Sequence, residues 1–491
     1  MKVGVGRANL AFPDDLVLFG FGPKGGHGYN ADDVLQVRAL WIESGAERLL
    51  LLSYDMVSGS QVVEELLLAA LQLEKHQLLM VGTHTHSAPG RYFGNIYDLA
   101  QWPAGLDTTV VDELVRKGVV AARAALSSVR SATVSVAQRV LWQAGRNRSY
   151  APFSNNFEHG VAGWPAELKN ELGIEMPAGL PVEEQAVDPR MTVLTFRDET
   201  GKAFATWASW CCHPATSRPG ERRPYHRDWP GMAVDAMENA TGVELAIVHQ
   251  RANGDVTSLP VGAAAQEDPP GRMRTIAERV VEQWASAVRE PAKGSTSFTC
   301  RRWDLDPTTT DATVEYGELP SWEIGAAVTG GSEEVPAGLY TQWFGEARVL
   351  PWREGAQAKK LPDPTTILAK SWAARALFNR ANGRLGPGEK PRFRLGPSPR
   401  HPFWILRFGS HMVFASPFEQ TTYAARTAER ALRHAGASTL SPLGLASDYA
   451  GYVTTPKEFA LQNYEGGHTL YGTRQLEACI AIWTYLARSS G

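Results

Sequence analysis

The sequence predicts an α/β protein: mixed sheets covered by helices, in one large catalytic domain over residues 1–491 with long irregular loops. Three observations predict it. Short apolar runs alternate with segments whose apolar residues recur at helical spacing, the rhythm of strands and covering helices. Apolar residues make up 43% of the 491 and charged residues 21%, which is core-forming composition and excludes a disordered chain. Gly and Pro cluster with Trp322, Trp343, Phe344 and Trp352 between 317 and 366, and again from Leu385 to Pro402. That texture predicts an irregular loop or lid over about 317–402.

Each element has its own warrant. The run Arg48–Tyr54 is apolar without alternation, as in a strand buried on both faces. Val62, Val63, Leu66, Leu67, Ala70 and Leu71 then repeat as on one helix face. Leu78–Val81 is the next strand and runs into Gly82-Thr83-His84. A helix follows over Thr108–Ser127, with Asp107 as its N-cap. Strands are expected near 130–141, 191–197, 203–211, 244–250 and 296–305, and helices near 230–240 and 271–288. Phe403–Phe408 and His411–Ala415 form a hairpin about Gly409-Ser410. Helices over Thr421–Arg433 and 473–488 close the chain, and no internal repeat is visible.

Charge narrows the partners. Lys and Arg number 49 and Asp and Glu 52, a balance of −3, so nothing draws in a nucleic-acid backbone or an anionic membrane surface. No run of about 18 apolar residues suits a bilayer span. The start, MKVGVGRANLAF, lacks the continuous apolar stretch of a signal peptide. Four cysteines (Cys211, Cys212, Cys300, Cys479) are too few for a disulfide framework, and a cytoplasmic enzyme is the expectation.

The residues that carry chemistry follow strand ends. Thr83-His84-Thr85-His86-Ser87-Ala88-Pro89-Gly90 sits where α/β folds place their sites. On extended backbone, His84 and His86 would share one side, as two metal ligands or an acid and base. Trp210-Cys211-Cys212-His213-Pro214 ends a second strand; the cysteines are read as buried and inert, and His213 as functional. Asn253-Gly254-Asp255-Val256-Thr257-Ser258 is a tight turn that could aim backbone N–H groups at an oxyanion, or could be an ordinary turn. Glu419 stands between a strand and a helix start, and Tyr452 and Tyr464 lie in an aromatic tail.

In this order, these segments resemble the neutral/alkaline ceramidase family over nearly the whole chain, from Val3 onward. The words that carry the likeness are Thr83–Gly90, Asn147-Arg148-Ser149, Glu419-Gln420-Thr421-Thr422, and Tyr452-Val453-Thr454-Thr455-Pro456 running on to Tyr464-Glu465-Gly466. The resemblance implies hydrolysis of the N-acyl amide of ceramide to a fatty acid and sphingosine, with one zinc ion activating water. It implies His84, His213, Glu419 and Tyr452 as zinc ligands. It places His86, Tyr464, Arg148 and Thr257 in catalysis, with His86 as the first choice of general acid, and Arg148, Asn147, Thr257 and Gly254 at the substrate.

The chain also departs from the family. Its Gly-Asp-Val turn continues Thr257-Ser258-Leu259 where the family has Ser-Pro-Asn, Phe418 replaces a glycine before the glutamate, and Gly28–Asp33 replaces a Gly-Ile-His-x-Arg region. The family's C-terminal immunoglobulin-like domain is not part of this chain, which is expected to be the catalytic part alone. The substrate is therefore left between ceramide, another lipid amide and a small acylated metabolite. Two other readings remain: a Ser87 or Thr257 nucleophile paired with a histidine, and a non-enzymatic relative with a closed structural zinc site.

Overall fold

Along Arg48–Tyr54, Leu50 and Leu52 join one buried cluster while Leu49 and Leu51 join another. Successive strand side chains point to opposite faces, so this strand is buried on both, as its unbroken apolar run predicts. Trp207 parts from Ala208 and Trp210 in the same way, and Trp404 and Leu406 from Phe403 and Ile405. Three sheets therefore turn one face inward to a shared core and the other outward to helices.

The structure is a computed structural model that describes residues 1–22, 25–100, 105–158, 160–217, 220, 222–258, 269–291, 293–307 and 396–489, with a few positions between 314 and 332. Most of the expected lid over 317–402 lies outside the described residues, Trp343, Phe344 and Trp352 included.

The first sheet holds β1 (Lys2–Asn9), β2 (Gln36–Ser44), β3 (Glu47–Tyr54) and β4 (Leu78–Gly82), with the two-residue strand Arg130–Ser131 added antiparallel at the edge beside β1 and α1 (Gln61–Leu71) and α2 (Thr108–Ser127) outside it. The second holds β5 (Thr133–Val140), β6 (Arg190–Arg197), β7 (Ala203–Trp210) and β8 (Leu245–Gln250), covered by α3 (Asp228–Thr241) and α4 (Pro269–Arg289). The third holds β9 (Phe298–Leu305), β10 (His401–Phe408), β11 (His411–Ala415) and β12 (Thr439–Leu443), covered by α5 (Thr422–Leu432) and α6 (Gln475–Arg488). In each sheet the first three strands pair antiparallel in chain order, a helix follows, and the fourth strand pairs parallel with the third. A second helix ends each unit.

One topology is thus used three times, a repeat that the sequence reading missed. What repeats is strand direction and order, and each copy carries its own side chains and its own long insertion between first and second strands. The consequence is functional. Antiparallel pairing makes the first and third strands run one way, and parallel pairing adds the fourth. The loops after these strands therefore leave each sheet at one end.

Most expected elements fall within two or three residues of their places. Asp107 caps α2 by accepting from the Thr109 N–H at 3.0 Å. The strands β1 and β2 were not read from the sequence. Gly4 and Gly6 interrupt the apolar run of β1. The structure uses both for close approach: a Cβ on Gly4 would lie 2.0 Å from the Ala125 carbonyl oxygen of α2, and one on Gly6 2.3 Å from that of Ala121.

Candidate metal centre

Three loops from three sheets bring His84, His213 and Glu419 together. His84 follows β4, His213 follows β7 and Glu419 follows β11. Glu419 Oε2 lies 3.0 Å from His213 Nε2 and 3.4 Å from His84 Nε2, and all three residues are buried. His86 joins them, its Nε2 3.4 Å from that of His84.

The segment 83–86 is not extended, contrary to expectation. His84 has φ 75°, in the left-handed region, which costs a non-glycine residue on the order of 1–3 kcal/mol. The loop after β3 holds it there. The His84 N–H donates to the Met56 carbonyl at 2.9 Å, and its Nδ1 meets the Val57 carbonyl at 2.8 Å. The two imidazoles meet because His84 turns back; strand alternation has no part in it.

The donor set fits a cation. Carbonyl oxygens only accept, so Nδ1 of His84 facing Val57 carries a proton. So does Nδ1 of His213, which meets the Asn253 carbonyl at 2.8 Å and that of Val256 at 3.1 Å. In the neutral rings each Nε2 then presents a lone pair. Burial, with Arg148 nearby, pushes His213 down to about 4, so its ring is neutral at neutral pH. Lone pairs and a carboxylate facing one another in a buried space are what a divalent ion stabilises. His84, His86 and His213 form a group able to hold a metal ion, with ring nitrogens within 4.8 Å of one another.

His86 differs from the other two. Its Nδ1 is buried with no hydrogen-bond partner among the described residues, so nothing fixes its tautomer. Burial, and then His84 and His213, lower its pKa well below the ordinary value. Its ring packs against Gly20, where a Cβ would lie 2.3 Å from the imidazole.

The remaining expected residues surround this centre. Tyr452 is the register partner of Glu419 in a parallel pair of two-residue strands, Glu419–Gln420 and Tyr452–Val453. Glu419 thus stands between a strand and a helix start, as expected, and forms a short strand of its own there. Arg148 donates to the Tyr452 hydroxyl at 3.1 Å, to the Gly254 carbonyl at 2.7 Å and to Glu465 at 3.0 Å. Its guanidinium also lies 5.5 Å from the Tyr464 ring centroid. Burial pushes the Tyr464 phenol up to about 12 despite Arg148. The Asn147 side-chain amide donates to the Ala186 carbonyl and to Asp255, and its oxygen accepts from the Ser149 N–H. Thr257 is buried and its backbone bridges to His213.

In the turn 253–258, two of the N–H groups that could face an oxyanion are already engaged. Gly254 donates to the Gln420 carbonyl at 3.0 Å and Val256 to that of Asn253 at 3.0 Å. Asp255 accepts from the Thr422 N–H and hydroxyl, both at 2.8 Å, so the turn ties the second sheet to the third. Ser87 Oγ shares a hydrogen bond with Ser217 Oγ at 2.7 Å. Cys211 and Cys212 are buried, with Cys211 donating to the Asp188 carbonyl at 3.1 Å. Sequence reasoning missed Tyr449, whose hydroxyl donates to Glu419 Oε1 at 2.8 Å, and the Asn253 amide, 3.4 Å from Oε2. No local pattern marks either, because both contacts depend on loops meeting in space.

Fold and site together define a mixed α/β protein of three helix-covered sheets with a buried candidate metal centre where their loops meet. The chain belongs to the neutral/alkaline non-lysosomal ceramidase family, whose N-terminal region matches residues 1–279 and 396–481. The neutral ceramidase of Mycobacterium tuberculosis is 25% identical over 529 residues, covering all of this chain and 77% of that protein. That of Pseudomonas aeruginosa is 26% identical over 467 residues, covering 89% of this chain and 64% of the relative. The crystal structure of the Pseudomonas aeruginosa protein shares the fold, with TM-score 0.73 at 21% identity over 99% of this chain and 74% of that one. Among the described residues no helix is long and apolar enough to cross a membrane.

Proposed function

We propose that this chain is a zinc-dependent amidohydrolase that cleaves the N-acyl amide of ceramide or a ceramide-like lipid amide. The convergence of His84, His213 and Glu419 in a chain of this family carries the reading. His84, His213, Glu419 and Tyr452 would hold one Zn2+. Bound there, the ion supplies a Lewis acid and lowers the pKa of water toward about 7.

The protein's own groups do the rest. Arg148 holds the Tyr452 hydroxyl in place and keeps the Tyr464 ring beside it. Tyr464, protonated at neutral pH, donates to the carbonyl oxygen as charge develops there. His86 enters neutral, takes the proton lost by the attacking water and passes it to the amide nitrogen as the C–N bond breaks. An amine leaves readily only once protonated, so this transfer is required.

The test is a substrate screen of ceramides beside short N-acyl amino compounds, with and without a chelator and with zinc added back. Ceramide cleavage that is lost on chelation and restored by zinc is the expected result. Turnover of the short compounds alone would move the substrate to a compact metabolite. Activity that survives full metal removal would overturn the zinc reading.

A further inference from the structure

The Glu419 carboxylate is held from both sides, and the two sides differ. Oε2 faces His213 Nε2 at 3.0 Å, His84 Nε2 at 3.4 Å and the Asn253 amide at 3.4 Å. Oε1 accepts from the Tyr449 hydroxyl at 2.8 Å. An O–H to an ionised carboxylate is a charge-assisted bond, about twice as strong as a neutral one.

The ring of Tyr449 is fixed independently of that bond. It packs edge-on to Tyr97 with centroids 4.6 Å apart and to Phe19 at 6.0 Å. Phenylalanine would satisfy this packing equally well. The hydroxyl therefore serves Glu419, and a carboxylate free to rotate could offer either oxygen, or both, to an ion between the histidines.

We propose that Tyr449 is a positioning residue that holds Oε1 away and leaves Oε2 as the single metal-binding oxygen of Glu419. The assignment rests on the metal-centre reading above. Groups that orient a metal ligand typically contribute 10–100-fold to affinity.

The test measures Zn2+ affinity of the full chain by competition with a chelating dye. Tyr449→Phe should bind Zn2+ about 10–100-fold more weakly. Tyr97→Phe removes a nearby buried hydroxyl that does not touch Glu419, and should leave the affinity unchanged. Unchanged affinity in Tyr449→Phe, or an equal loss in Tyr97→Phe, overturns the assignment. Glu419→Gln separates the two readings. If it also keeps wild-type affinity, the metal centre itself is misplaced and the assignment falls with it. Should Tyr449→Phe fail to fold, a crystal structure of the Zn2+-loaded wild type decides. Oε2 alone on the ion, with Oε1 on Tyr449, supports the proposal, and both oxygens on the ion refute it.

Discussion

Glu419 and Tyr452 stand opposite each other across a parallel ladder only two residues long. The Glu419 N–H donates to the Gly451 carbonyl at 2.8 Å and the Thr421 N–H to that of Val453 at 3.0 Å. Register partners on paired strands share a face, so the ladder turns the carboxylate and the phenol to the same side.

The histidines that meet this carboxylate give the first prediction. His84→Ala and His213→Ala should each weaken metal binding by ~100-fold or more, beyond what loss of a supporting group does. Metal content after exhaustive dialysis, beside circular dichroism to confirm folding, checks it. Full occupancy in both variants would remove them as ligands.

Arg148 sets a stability prediction. It is buried, ion-paired with Glu465 at 3.0 Å and bonded to Tyr452 and Gly254. Arg148→Ala leaves Glu465 buried without that partner, and breaking such a pair costs about 3–5 kcal/mol. Urea unfolding should show a loss of that order. Arg148→Lys should recover part of it, because an ammonium can reach one acceptor but cannot span three. A change under about 0.5 kcal/mol, the range of ordinary surface substitutions, would show that the network does not hold the site.

These contacts mark how far the sequence could be read. Arg48–Tyr54 and Thr108–Ser127 were legible because burial and periodicity are local properties of a segment. His84 and His213 were legible as functional histidines at strand ends and Glu419 as a carboxylate between strand and helix, but only family resemblance joined the three as zinc ligands. The left-handed turn at His84 was invisible, since a histidine gives no sign of positive φ. Tyr449 and the threefold topology were invisible for another reason: each exists only once distant loops and strands have paired.

Tyr464 should separate chemistry from metal binding. Its ring lies 5.6 Å from that of Tyr452, and it is part-exposed where Tyr452 is buried. Tyr464→Phe should retain metal and lower kcat by at least ~10-fold, the loss of about 1.4 kcal/mol of transition-state stabilisation. An unchanged kcat would make it a packing residue.

Cys211→Ser and Cys212→Ser should leave metal content unchanged. Burial pushes the Cys211 thiol far above its ordinary value, which disfavours a thiolate ligand. Metal lost from either folded variant would show that sulfur takes part in binding.

Glu458 predicts the pH dependence of stability. It accepts from the Thr421 hydroxyl at 2.6 Å and the Thr455 N–H at 2.9 Å. Burial, with Asp255 close by, raises its pKa from 4.5 to about 8. The folded protein therefore binds this proton more tightly than the unfolded chain does. The stabilisation is complete below the unfolded value near 4.5 and is lost as pH rises through about 8. Glu458→Gln resembles the neutral acid and cannot ionise. Wild-type stability should thus fall between pH 5 and pH 9 by on the order of a few kcal/mol more than that of Glu458→Gln. Parallel curves from urea unfolding across that range would show that Glu458 is ionised in the fold and that its environment solvates the charge.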